Sequence, residues 1–269
     1  MPSASNVAAS ISPVVASRRR RARIGWLEYS LGLSLTALLL QLSWLTFCEW
    51  YNRPRSGVQV QQQADEYDYL VYLPEHYGRD DRRWPLLLFL HGAGERGSDL
   101  QSLIRCGPPK LIAEGRRFPM VVISPQCPAN SGWQSDSLLR LLDHVAKRYA
   151  VDANRIYVTG YSMGGYGTWE LAIAAPNRLA AIAPLCGGGD PARASRLAAV
   201  PVWAFHGAKD DVVPVSATQR TVDAMEAAGA KPKSTVYEAM GHNIWDHTYR
   251  RLELYDWLLS HRLGETQGD

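Results

Sequence analysis

The chain of 269 residues is 46% hydrophobic and 10% aromatic, which is enough apolar material for a substantial core and too much for a disordered or low-complexity protein. Its formal charge of +3 sits entirely in the first 49 residues, where Arg18 to Arg21 and Arg23 stand against Glu28 and Glu49; the remainder is neutral. A neutral body lacks the concentrated basic face on which nucleic-acid affinity rests, so no nucleic-acid partner is expected.

In chain order, residues 1–28 read as a basic cytoplasmic segment. Tyr29 to Cys48 are twenty uncharged, Leu-rich residues, about the number a helix needs to cross the ~30 Å core of a bilayer. Trp26 and Tyr29 at one end and Trp44, Trp50 and Tyr51 at the other suit interfacial belts, and the Arg cluster marks the cytoplasmic side. The expectation is a transmembrane signal anchor over 29–48, a membrane-bound chain and an extracytoplasmic remainder. Secretion after signal cleavage is the competing reading, although no small-x-small site follows the apolar run. Cys48, Cys106, Cys127 and Cys186 show no metal-ligand spacing, and no metal is expected. A Cys106–Cys127 disulfide is conceivable in an exported domain, as are free, buried thiols.

Residues 49–65 read as a polar linker and 66–269 as one domain in which short, β-branched or aromatic apolar runs alternate with amphipathic stretches. Strands are expected over 69–73, 85–90, 120–124, 155–159, 180–185, 202–206 and 235–239, and helices over 137–149, 165–175, 217–228 and 245–263. The alternation predicts an α/β fold, a mostly parallel sheet with helices on both faces. Only sixteen residues separate Leu185 from Val202, too few for a large cap over the site.

The sharpest motif is Gly160-Tyr161-Ser162-Met163-Gly164, a G-x-S-x-G that follows an apolar strand and opens a helical pattern. A tight strand-to-helix turn projects the serine hydroxyl, and its glycines let backbone approach backbone. A serine hydroxyl is a weak nucleophile without a base, and the base needs an acid to hold its tautomer. Asp210 follows the strand ending at His206-Gly207, and His242 follows the last strand; Asp211 and His247 are the alternative acid and base. His91-Gly92-Ala93-Gly94, after the 85–90 run, would supply an oxyanion-hole amide at Ala93, with Met163 as the second. These pieces all lie beyond the C-terminal ends of predicted strands, where open α/β sheets build their sites.

Other motifs have weaker context. Gly92 to Gly97 also fits G-x-G-x-x-G, but Gly107-Pro108-Pro109 interrupts the helix a dinucleotide fold requires. Gly187-Gly188-Gly189 lacks the Lys and Ser/Thr of a phosphate loop. Trp133 and Trp245 either line a pocket or pack on the core, and His91 and His206 brace the turns they begin.

With His91 to Gly97, Pro125-Gln126-Cys127-Pro128, Gly160 to Gly165, His206 to Asp210 and Gly241 to Trp245 in place, the chain resembles the α/β-hydrolase family over roughly 68–263. Within it the likeness is to the small carboxylesterase and predicted-peptidase branch related to dienelactone hydrolases and polyhydroxybutyrate-depolymerase-like esterases. The resemblance implies a Ser162–Asp210–His242 triad acting on small or polymer-linked esters without a cofactor. It departs from dienelactone hydrolases, which carry a cysteine where Ser162 stands, and from lipases with three glycines where Gly92-Ala93-Gly94 stands. A serine peptidase of the same fold and a non-catalytic exported binding module are the alternative expectations.

Overall fold

The computed structural model describes residues 36–44 and 56–264. The chain divides into two units, Met1–Arg53 and Pro54–Asp269. In the first, residues 36–44 form a helix that exposes every side chain, Leu38, Leu39, Leu40 and Leu42 among them. Among the described residues no helix is long and apolar enough to cross a membrane; the basic segment and the rest of the expected anchor over 29–48 lie outside them.

In the second unit the apolar runs pair into one eight-stranded sheet: β1 (Gln59–Gln62), β2 (Tyr69–Tyr72), β3 (Trp84–Leu90), β4 (Val121–Pro125), β5 (Val151–Tyr161), β6 (Ala181–Leu185), β7 (Trp203–Gly207) and β8 (Lys233–Tyr237). The spatial order is β1-β2-β4-β3-β5-β6-β7-β8, with β1 and β2 antiparallel to their neighbours and the others parallel. The helices are α1 (Gly107–Ala113), α2 (Ser135–Arg148), α3 (Met163–Ala174), α4 (Ser216–Ala227), α5 (Trp245–Arg250) and α6 (Leu252–Leu259).

Central strands of a parallel sheet are covered on both faces, so alternate residues feed two cores. In β3, Leu86, Leu88 and Leu90 join one core with Leu141 and Val145 of α2, Trp169 of α3 and Val222 of α4. Leu87 and Phe89 join the other with Ile112 of α1, Tyr249 of α5 and Leu258 of α6. All five side chains are fully buried, each contributing roughly 1.5–3 kcal/mol over an exposed position. The parallel run of β3 and β5 to β8 brings their C-terminal ends to one edge of the sheet, as the sequence predicts for its candidate residues.

Three elements differ from the sequence reading. Residues 59–62 of the expected linker are the edge strand β1; its run of glutamines carries no apolar alternation, and only pairing with β2 reveals it. Helix α1 starts at the Gly107-Pro108-Pro109 step read as an interruption, because proline is tolerated in a first turn, where the amides have no intrahelical partner. The helix expected over 245–263 breaks at Arg251, whose backbone is extended, and Arg116 donates to the freed carbonyls of Tyr249 and Arg250. Cys106 and Cys127 are both buried and free, so the conceivable disulfide between them is not formed.

Candidate active site

Strand β5 delivers Tyr161, and the chain turns into α3 at Ser162, whose φ of +54° and ψ of −119° are unusual for a residue with a side chain. Such a conformation costs roughly 1–3 kcal/mol and persists where the surroundings over-determine it. Here the Ser162 amide donates to the Leu185 carbonyl at 3.0 Å and its carbonyl accepts from Tyr166 at 3.0 Å. The neighbouring glycines have a steric cause. A Cβ on Gly164 would overlap the Leu90 carbonyl oxygen, and one on Gly160 would lie 2.6 Å from the same atom. Ser162 therefore stands partly exposed at the sheet edge.

The other two residues arrive from the loops after β7 and β8. His242 Nε2 lies 3.0 Å from Ser162 Oγ and His242 Nδ1 lies 2.7 Å from Asp210 Oδ2. A carboxylate accepts only, so Nδ1 carries the proton and Nε2 is free to take the serine's. Asp210 Oδ1 accepts from the amides of Val212 and Val213 at 2.9 and 2.8 Å. Burial opposes the charge on Asp210, whose side chain is fully enclosed. The hydrogen bonds from His242, Val213 and Val212 outweigh that penalty and hold the carboxyl below its ordinary range. Asp211 is exposed, and the His247 ring packs edge-on against Tyr237 at 5.0 Å, so neither alternative joins the line.

Met163 carries the first amide of α3, one of the four that a helix leaves without an internal acceptor, and Ala93 opens the 3-10 turn Ala93–Glu95 after β3. Ala93 is exposed, and Met163, the residue after Ser162, is half-buried. A relay absent from the sequence reading ties these parts together. The Tyr161 hydroxyl donates to Glu95 Oε2 at 2.5 Å, the Cys106 thiol lies 2.9 Å from the same hydroxyl, and Gln126 Nε2 donates to the Glu95 carbonyl at 2.9 Å. Burial pushes the Cys106 thiol up to about 12, so it stays protonated. These partners are tens of residues apart in the chain; the Pro125–Pro128 motif was the single local signal that this loop mattered.

His91 and His206 do brace turns. His91 Nδ1 donates to the Gly92 carbonyl at 2.6 Å and Nε2 accepts from the Cys127 amide at 2.9 Å; burial holds its imidazole below the ordinary range, hence neutral. His206 touches Thr218, Val213 and Asp210. Trp133 packs on His91 and donates to its carbonyl, while Trp245 stacks on Tyr161 at 4.5 Å and meets the His242 ring edge-on at 5.6 Å, forming a wall of the site. The loop at Gly187 is bonded to α3 and α4 through Trp169 and Thr218. Cys186, His206 and Asp210 bring one potential metal ligand each within 4.8 Å of one another. Burial raises the Cys186 thiol to about 12 and the other two groups are engaged in hydrogen bonds, which makes this a poor donor set for a cation.

Comparison with known proteins identifies the family. A profile of the phospholipase/carboxylesterase family matches residues 118–255, which include Ser162, Asp210 and His242. A bifunctional acetylxylan esterase/xylanase of Neocallimastix patriciarum is 31% identical over 154 residues, covering 54% of this chain and 22% of that protein. A putative carboxymethylenebutenolidase of Salmonella typhimurium is 34% identical over 113 residues, 38% of this chain and 42% of that one. The chain thus spans less than half the length of either relative. Among solved structures, a thermostable esterase is 32% identical with a TM-score of 0.65, covering 76% of this chain and 63% of its own. The feruloyl esterase module from Clostridium thermocellum shares the fold at 18% identity and a TM-score of 0.59, covering 79% of this chain and 90% of its own. Because the family match takes in just over half of the chain, on an α/β-hydrolase fold, the protein belongs to the phospholipase/carboxylesterase family.

Proposed function

We propose that the protein is a serine hydrolase that cleaves carboxylic esters through an acyl-enzyme. One observation carries the reading: the unbroken line from Ser162 Oγ through His242 to the buried Asp210 carboxylate, at 3.0 and 2.7 Å. His242 takes the hydroxyl proton as Ser162 attacks the ester carbonyl, and Asp210 orients the imidazole and balances its charge. The amides of Ala93 and Met163 face the developing oxyanion. His242 then hands the proton to the leaving alcohol and, in the second half, activates the water that releases the acid. Esters are favoured over peptides because the β6–β7 connection holds only the short helical segment Pro191–Leu197, leaving the site uncapped among the described residues.

Fluorophosphonate labelling of the full-length chain, with the modified residue located by mass spectrometry, tests this. Label on Ser162 that disappears in Ser162→Ala supports the reading; a folded, unlabelled protein makes a non-catalytic binding module the better one. An ester and an anilide of one acyl group then decide between esterase and peptidase, faster anilide cleavage favouring the peptidase.

The apolar run Tyr29 to Cys48 behind its Arg cluster, with exposed leucines where residues 36–44 are helical, supports a membrane anchor and an extracytoplasmic domain. Carbonate extraction of membranes and protease protection of intact cells test it; release into the soluble fraction would refute the anchor.

A further inference from the structure

We propose that His206 is a doubly protonated positioning residue that clamps Asp210 from the side opposite His242 and thereby sets the pH at which the triad becomes active. The argument is a count of protons. The Thr218 hydroxyl has one proton and two close partners, the Gly187 carbonyl at 2.6 Å and His206 Nδ1 at 2.7 Å. A carbonyl oxygen has no proton to give, so the 2.6 Å contact is a bond only if Thr218 donates into it; the same carbonyl also accepts from Trp169 Nε1 at 3.2 Å. With that proton spent, the 2.7 Å contact requires a proton on Nδ1. On the other side of the ring, Nε2 faces two pure acceptors, the Val213 carbonyl at 2.9 Å and Asp210 Oδ2 at 3.1 Å, so it too carries a proton. Both ring nitrogens donate, and His206, with no exposed side-chain surface, is an imidazolium paired with the buried Asp210.

Among the described residues its polar contacts are to Thr218, Val213 and Asp210, none of them cationic. Asp210 comes from the loop after β7, the Cys186 thiol at the end of β6 is neutral, α4 presents Thr218, and β8 pairs Val236 beside it. Asp210 Oδ2 is thus shared by His206 and His242, at 3.1 and 2.7 Å, while Oδ1 is held by two amides. A carboxylate bound by four donors neither rotates nor accepts the catalytic proton. A positive charge two hydrogen bonds from His242 repels a second one on that ring, so removing it should move the acid limb of activity upward.

The kinetic arm rests on the proposed hydrolase reading; a spectroscopic arm does not. In 15N-histidine spectra of the full-length chain, His206 should show two protonated ring nitrogens near pH 7. Removing its charge as His206→Gln should move the acid limb of the kcat/KM profile upward by about one pH unit, with KM changed less than about twofold. Thr218→Val, which removes the acceptor at Nδ1 while keeping the branched shape, should shift it in the same direction, and Thr218→Ser should restore the original profile. Thr218→Val also carries the test if His206→Gln does not fold. A single protonated ring nitrogen on His206, or an acid limb unmoved or lowered in the folded variants, overturns the inference. An active-site serine that never labels in the unaltered protein defeats the hydrolase reading instead, and leaves the spectroscopic result standing.

Discussion

The Tyr161 hydroxyl donates to the Glu95 carboxylate at 2.5 Å, joining the strand that leads into Ser162 to the turn that carries Ala93. Its ring also packs so closely on Gly92 that a Cβ there would lie 2.6 Å away. A single aromatic side chain therefore ties the segment that leads into the proposed nucleophile Ser162 to the turn that holds the proposed oxyanion donor Ala93.

Tyr161→Phe keeps the ring packing and removes that tie. An oxyanion donor that drifts acts on the transition state more than on substrate binding, so kcat should fall about tenfold while KM stays within about twofold. Steady-state kinetics on a chromogenic ester checks this. A KM effect without a kcat effect would mean that Tyr161 contacts substrate instead.

Asp210→Asn and Asp211→Asn separate the proposed acid from its exposed neighbour. The first leaves an amide against His242 Nδ1 and should cost about 10³- to 10⁴-fold in kcat, whereas the second should stay within about twofold. Equal losses would place the acid elsewhere.

His91 makes stability pH-dependent. Burial holds its folded-state imidazole below the ordinary value, so the unfolded chain binds the proton more readily. Its contribution is complete above the unfolded value near 6.5 and is lost as pH falls below it toward the folded one. Urea midpoints should therefore decline from pH 7 to 5, and His91→Gln should flatten that decline. A midpoint that rises on acidification would contradict the neutral tautomer.

Gly164→Ala places a methyl group onto the Leu90 carbonyl, backbone against backbone, with nothing flexible to yield. It should cost on the order of 3 kcal/mol or prevent folding. Gly132→Ala, where a Cβ meets nothing within 4 Å, should remain within about 0.5 kcal/mol. Thermal melts of the pair provide the comparison.

Much of the candidate site is legible in the sequence, because each piece is local. Gly160 to Gly164 states a strand-to-helix turn in five residues, and Asp210 and His242 announce themselves by following apolar runs in the order the chemistry requires. The central strands β3, β4, β6 and β7 are legible for a similar reason: a buried parallel strand must be apolar on both faces. The edge strand β1 escaped because Gln59, Gln61 and Gln62 make their case through backbone pairing with β2, which has no side-chain signature.

Local pattern was enough for the α/β architecture and for picking out Ser162, Asp210 and His242, the residues that the fold then brings into one hydrogen-bonded line. The surroundings of the site were settled by packing. Glu95 and Tyr161 are 66 residues apart, His242 and Ser162 80 apart, and Cys106 and Cys127 lie 21 positions from each other without bonding. Hydrogen bonds of this kind depend on distances of a few tenths of an ångström between loops at the same sheet edge. Residue periodicity records which face of an element is buried, and it carries no information about which atoms then meet across that edge.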